Sequence, residues 1–203
     1  MLRTAALALA LALPSAASAQ EVPFDPRPMC IDWAAVGTVK STGWEHVDIE
    51  GDMLGHGWFS YRMRVTRPIW RARGGTINFR MFAHTYHVQW RPSLILQGKD
   101  MHGNWRHVGW ARVIKGPDGR AFIPISWPRE PEYSRSDWRP EGYERFLKPV
   151  RYVDDLGGEP MQPGDGAPGY SEVENGRLVA LKGLFLEDLP ALLASIPANA
   201  CRR

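Results

Sequence analysis

Four histidines are the residues of this sequence with the most direct potential for chemistry. His84 and His87 stand three residues apart, and His102 and His107 bracket a predicted turn. Two or three imidazoles are typical ligands of zinc or copper. Positions 84 and 87 of a regular strand point to opposite faces, so a chelating pair there would need a β-bulge. These histidines support one alternative function, a secreted metal-binding protein or metal-dependent hydrolase. The simpler interpretation is that they only form hydrogen bonds on a β surface.

Basic and aromatic side chains share one face of two predicted strands. Arg62 and Arg64 lie two residues apart and therefore point to the same face. Arg80 stands at an outward-pointing position of the next predicted strand. Trp58 and Tyr86 stand at positions that point to the same face as these arginines. A basic, aromatic β surface is typical of barrels that bind nucleic acids or glycans. The competing interpretation is that C-terminal elements cover this face and that the aromatic side chains belong to the core.

The sequence assigns no catalytic residue and no cofactor. The carboxylates Asp154-Asp155, Glu159 and Asp165 lie in a segment rich in glycine and proline. Glycoside hydrolysis needs two carboxylates at a set separation, which a loose segment does not provide. No G-x-S-x-G nucleophile motif is present either. A binding protein is therefore favoured over an enzyme.

The elements that must position these residues are strands. Hydrophobic residues make up 44% and charged residues 23%, as in globular proteins, and 20 glycines with 17 prolines indicate many turns. Alternating segments predict a mainly β fold, with an OB-like or similar small antiparallel barrel over residues 31–127. The predicted strands are Ala34–Ser41, Trp58–Thr66, Thr76–Val88, Ser93–Gln97, Trp105–Ile114 and Ala121–Ser126.

Residues 128–203 are predicted to be an irregular extension that packs on the barrel. Its clearest signal is Asn175-Gly176, the residue pair that favours a two-residue β-hairpin turn. Glu141–Leu147 is predicted as a short helix. A further short helix is predicted over Leu189–Ile196, with Asp188 as its N-cap and Pro190 in the permitted first turn.

The N-terminus has the three-part layout of a secretory signal peptide. A basic start precedes an Ala/Leu run, and Ala17-Ser18-Ala19 supplies small residues at the cleavage site. Residues 1–19 are therefore predicted to be removed, and residues 20–30 to form an extended lead-in. The expected location is secreted or periplasmic, with no membrane segment after cleavage. A net charge of +3 is too small to imply nucleic acid, so the expected partner is an envelope or extracellular glycan, peptide or protein.

The two cysteines of the chain are predicted to pair. Cys30 and Cys201 lie near opposite ends of the predicted mature protein. An oxidising compartment favours a disulfide, which would close a long loop and hold both termini. Two free buried thiols are the alternative.

One stretch resembles a known family. A cysteine before the first strand, the segment 34–39 with the sequence AAVGTV, the alternating Phe59 to Thr66 and the strand Thr76 to Phe82 are similar to the front half of netrin-like, tissue-inhibitor-like secreted modules. Those modules are OB-type barrels. The resemblance implies a barrel with a binding role, and no functional residue is carried over from it.

Overall fold

A computed structural model describes residues 31–48, 50–53, 55–83, 92–99, 105–126, 142–153 and 160–196. Within these ranges the chain forms β-strands, a 3-10 helix at Tyr143–Phe146 and one short α-helix. The strands are β1 (Trp33–His46), β2 (Gly57–Trp70), β3 (Gly75–Ala83), β4 (Ser93–Lys99), β5 (Trp105–Arg112), β6 (Ile114–Lys115), β7 (Ala121–Ile125), β8 (Leu147–Val153), β9 (Ser171–Glu174) and β10 (Arg177–Phe185), and the helix is α1 (Leu189–Ser195).

The prediction of a mainly β protein is confirmed, because the strands form two antiparallel sheets. The first sheet has the order β3-β2-β1-β4-β5. The second has the order β6-β7-β10-β8, and β9 also pairs with β10. β6 and β7 lie within residues 114–125, at the end of the predicted barrel segment. They pair in the second sheet with strands of the C-terminal region. No helix among the described residues has the length and apolar character needed to cross a membrane.

The first core lies on the inner face of the first sheet. Alternate residues of its strands point inward, as the period of two requires. Trp33, Val65, Ala72, Ala83 and Trp110 pack around it. Its buried members are Ala35, Val39, Phe59, Tyr61, Met63, Phe79, Met81 and Ile95.

A second core lies on the opposite face of β1, β4 and β5. Ala34 and Val36 of β1 point into it, while Ala35 between them points into the first core. The second sheet and α1 supply the other wall of this core, including Leu184 and Leu192. Because both faces of β1 and β4 are covered, their sequences contain unbroken apolar runs, at residues 33–36 and 94–96. The outer faces of β2 and β3 carry exposed polar residues along most of their length.

A β-bulge interrupts the pairing of β1 with β2. Gly37 pairs with Val65, but Val36 pairs with Arg67, so one residue of β2 is left without an opposite residue. Gly37 is required at this point, because a Cβ atom there would overlap the carbonyl oxygen of Arg64 and lie 2.9 Å from Cε of Met63. A bulge of this kind changes which side chains of the strand face outward.

The C-terminal region confirms the predicted hairpin and helix and adds a strand. Asn175 and Gly176 have φ angles of 50° and 72°, as a tight turn between β9 and β10 needs. Asp188 occupies the N-cap position of α1 without a side-chain capping hydrogen bond, and its carboxylate lies 2.6 Å from Nζ of Lys148 instead. In place of the helix predicted at 141–147 the chain forms a 3-10 turn and then β8. Pro149 fits in β8 because this strand is at the edge of the sheet.

Ion pairs join β8 to the hairpin. Arg151 donates to Glu172 through Nη1 at 2.8 Å and to Glu174 through Nη2. The hydrogen bond from Arg151 lowers the pKa of Glu174, and the bonds to the two glutamates raise the pKa of Arg151. These groups are exposed, so water screens their interaction.

Candidate functional site

Arg62 and Arg64 lie where the alternation of β2 predicts, on the outer face of the first sheet. Their chain neighbours Tyr61 and Met63 are fully buried in the first core. The two arginine side chains therefore point away from that core, and both are exposed. α1 contacts β2, whose Ile69 and Trp70 pack on the second core. Arg62 and Arg64 lie nearer the start of the strand and stay exposed.

Lys40 of β1 brings a third cation to the same place. It lies directly opposite Arg62 and is exposed, while Thr38 lies opposite Arg64. Like charges in directly opposite positions of a sheet repel and destabilise the pair. Among the described residues, no acidic side chain forms an ion pair with Lys40, Arg62 or Arg64.

The bulge extends this row of cations along β2. Arg67 lies opposite Val36, whose side chain points into the second core, on the face of β1 away from the first core. Arg67 therefore shares this face of the sheet with Arg62 and Arg64. Arg71 and Arg73 follow in the β2–β3 connection and are also exposed. We call these six residues the basic track: Lys40, Arg62, Arg64, Arg67, Arg71 and Arg73.

Arg80 differs from Arg62 and Arg64 because it forms an ion pair with a described acidic side chain. Its Nη2 forms an ion pair with the carboxylate of Glu45 on β1. Its guanidinium carbon lies 5.2 Å from the centroid of the Trp58 ring, a cation–π geometry. Trp58 in turn lies 5.3 Å from the ring of Phe82. We call this part of the face, formed by Arg80, Trp58, Phe82 and His56, the aromatic end.

His56 is a member of this end that the sequence analysis did not identify. Asp52 accepts hydrogen bonds from the backbone N–H of His56 at 2.6 Å and makes a contact of 2.9 Å with its Nδ1 atom. The imidazole stacks on Phe82, with ring centroids 5.4 Å apart and planes 14° apart. Asp52 thus orients His56 against the aromatic residues. The spacing D-x-x-x-H is the only local signal of this pair in the sequence.

Of the four predicted metal ligands, His107 is the one that lies among the described residues. Nδ1 of His107 lies 3.2 Å from Nε2 of Gln97, a side chain that is 1% exposed, and its ring lies 6.3 Å from that of Trp110. No group of three or more His, Cys, Asp and Glu side chains suited to a metal occurs among the described residues. His84, His87 and His102, together with Tyr86 of the binding prediction and Cys30 and Cys201 of the disulfide, lie outside the described residues.

A simple count marks the basic track in the sequence. Residues 53–99 contain eight basic side chains and no acidic one, which leaves 17 of the 25 basic residues against all 22 acidic ones in the rest of the chain. The net charge of +3 averages over this separation. A window count along the chain, in place of a total, identifies this segment as the strongly basic one.

No protein-family model, curated protein or solved structure matches the chain. The resemblance of residues 30–88 to netrin-like modules stays a prediction. The geometry of the basic track and the aromatic end carries the functional conclusion.

Proposed function

We propose that this protein is an exported, non-catalytic binding module that holds an anionic envelope or extracellular ligand on the outer face of β1, β2 and β3. One observation carries the proposal. Lys40, Arg62 and Arg64 lie side by side, exposed, and no described acidic side chain pairs with them.

The physical reason is the repulsion among these cations. In the free protein, Lys40 and Arg62 weaken the sheet that holds them, because like charges are directly opposite. A bound anion attracts both cations and so offsets their repulsion. Arginine is suited to the task since its planar guanidinium binds carboxylate, sulfate or phosphate groups with two parallel hydrogen bonds.

We also propose that the first sheet is a partly open, OB-like barrel. Two observations support closure: the end strands β3 and β5 approach within 8 Å between Cα atoms, and Phe79 of β3 meets Trp110 of β5 with ring centroids 6.1 Å apart. An OB-type barrel binds ligands on the face of its second and third strands. The basic track and the aromatic end lie on β2 and β3, with Lys40 from β1.

Export and the Cys30–Cys201 disulfide belong to the same proposal. We expect the secreted or periplasmic protein to begin at Gln20 and to weigh two protons less than its reduced form. Mass spectrometry of the intact protein before and after reduction measures both. A retained N-terminus in the membrane fraction would contradict export, and free thiols on the native protein would contradict the disulfide.

The binding proposal is tested with the double variant Arg62→Ser, Arg64→Ser. Each exposed arginine contributes up to about 1 kcal/mol to an ionic contact. We therefore expect the variant to bind heparin and polygalacturonate about tenfold more weakly than the unchanged protein, since about 1.4 kcal/mol corresponds to a factor of ten. Neutral dextran should not bind either protein.

The matched control is Lys115→Ser, Arg177→Ser, which removes the same charge from exposed positions outside the basic track. We expect the control to bind as the unchanged protein does. The melting temperatures of both variants should stay close to that of the unchanged protein, because exposed substitutions change stability little. Equal weakening in the two variants would show that only the total charge matters and would overturn the proposed face.

A further inference from the structure

The cations of the basic track are arranged in a line. Arg62 and Arg64 are two strand residues apart, and Arg67 continues the outer face after the bulge. Two residues of an antiparallel strand span about 7 Å, so the distance along β2 from Arg62 to Trp70 is about 27 Å. Arg71 and Arg73 follow in the connection that leads back to Gly75, which lies opposite Val65. A small anion can contact only one or two of these groups, whereas a linear polyanion can contact all of them.

Side chains with hydroxyl or amide groups flank the cations on the neighbouring strands. Thr38 and Thr76 are opposite Arg64 on its two sides, and Asn78 is opposite Arg62. Ser60 lies on the same face beside Arg80. These groups both donate and accept hydrogen bonds. The face is therefore chemically suited to a ligand that carries many hydroxyl groups as well as negative charges.

Acidic residues bound the track at the opposite end of β2. Glu45, Asp48 and Glu50 are exposed in the last residues of β1 and the loop that follows it. Glu45 also neutralises Arg80. A polyanion is repelled at this end, so it extends from Arg62 towards the β2–β3 connection.

We infer that the ligand is a linear anionic polysaccharide that lies along β2, with its carboxylate or sulfate groups on the basic track and its hydroxyl groups on the polar side chains of β1 and β3 beside it. The inference rests on the proposed function. It adds the chemical class of the ligand and the direction in which the ligand lies on the sheet. A polysaccharide is favoured over an acidic peptide by the hydroxyl and amide side chains that flank the cations on both sides. It is favoured over nucleic acid by the predicted export of the chain.

The test is a length series of oligogalacturonates titrated against the full-length protein at two salt concentrations. We expect the affinity to rise with length until the oligomer spans β2 from Arg62 to Trp70, about 27 Å, and then to level off. Raising the salt should weaken the long oligomers more than the short ones, because they release more counterions. The variant Arg67→Ser, Arg73→Ser should weaken long oligomers about tenfold and leave the shortest ones unchanged, and the control Lys115→Ser, Arg177→Ser should change neither.

The outcomes separate this inference from the proposal on which it rests. Short and long oligomers that bind equally well would overturn the linear arrangement and leave anion binding intact. Tighter binding of polyglutamate or of single-stranded DNA of the same charge would overturn the choice of polysaccharide. Failure of every polyanion to bind would overturn the proposed function itself.

Discussion

Replacing Gly37 with alanine is expected to destabilise the protein by about 3 kcal/mol, the upper part of the range for overpacking. The added methyl group would overlap the carbonyl oxygen of Arg64, a backbone atom that cannot rotate away, and would press on Cε of Met63. β1 and β2 must then separate at the bulge. For a chain of this length the melting temperature should fall by roughly 6–12 °C, which differential scanning calorimetry measures.

Gly43→Ala is the matched control for this prediction. Gly43 lies on the same strand, and a Cβ atom there would meet no atom within 4 Å. Its melting temperature should change little, because exposed substitutions usually stay within about 0.5 kcal/mol. Equal behaviour of the two variants would contradict the close approach of β1 and β2. Since the bulge places Arg67 on the outer face, folded Gly37→Ala protein should also bind long polyanions more weakly.

The second large effect is expected for Leu192→Ala in α1. Leu192 is completely buried in the second core, between the second sheet and the central strands of the first. Loss of a buried leucine costs about 2–5 kcal/mol, from lost burial and from the cavity that remains. The free energy of unfolding, measured by urea titration, should fall by that amount.

Ala191→Ser provides the comparison, because Ala191 is exposed on the same helix. Its free energy of unfolding should change by roughly 0.5 kcal/mol or less, as a change in helix propensity at a surface position allows. Heparin binding by Leu192→Ala protein should be unchanged at temperatures below its melting transition, since α1 contacts β2 but no residue of the basic track belongs to the second core. A small loss of stability in Leu192→Ala would show that α1 does not close this core.

The alternation of side chains in β2 is what made the arginine face predictable. Arg62 and Arg64 must share a face because strand side chains have a period of two, and Tyr61 and Met63 mark the inner side. The turn at Asn175-Gly176 was equally predictable from the sequence, since few residue pairs accept the positive φ angles of a tight turn. Both inferences use only neighbours along the chain.

β8 and the helix cap show where such local inference ends. The sequence predicted a helix over residues 141–147, but the chain continues into β8. This strand accepts Pro149 because it is at an edge, which only the sheet order shows. Asp188 is a good N-cap residue by type, but Lys148, far away in sequence, provides a partner for its carboxylate.

The sequence by itself determined that this protein is mainly β and that two arginines of one strand point to the same side. The tertiary structure alone decided that the second sheet and α1 cover β1, β4 and β5, and that β2 keeps its arginines exposed. It also decided that Arg67 joins the basic track and that Glu45 binds Arg80. Parity is a property of a few adjacent residues, whereas register shifts, ion pairs between strands and the covering of a face depend on which distant segments meet in the folded chain.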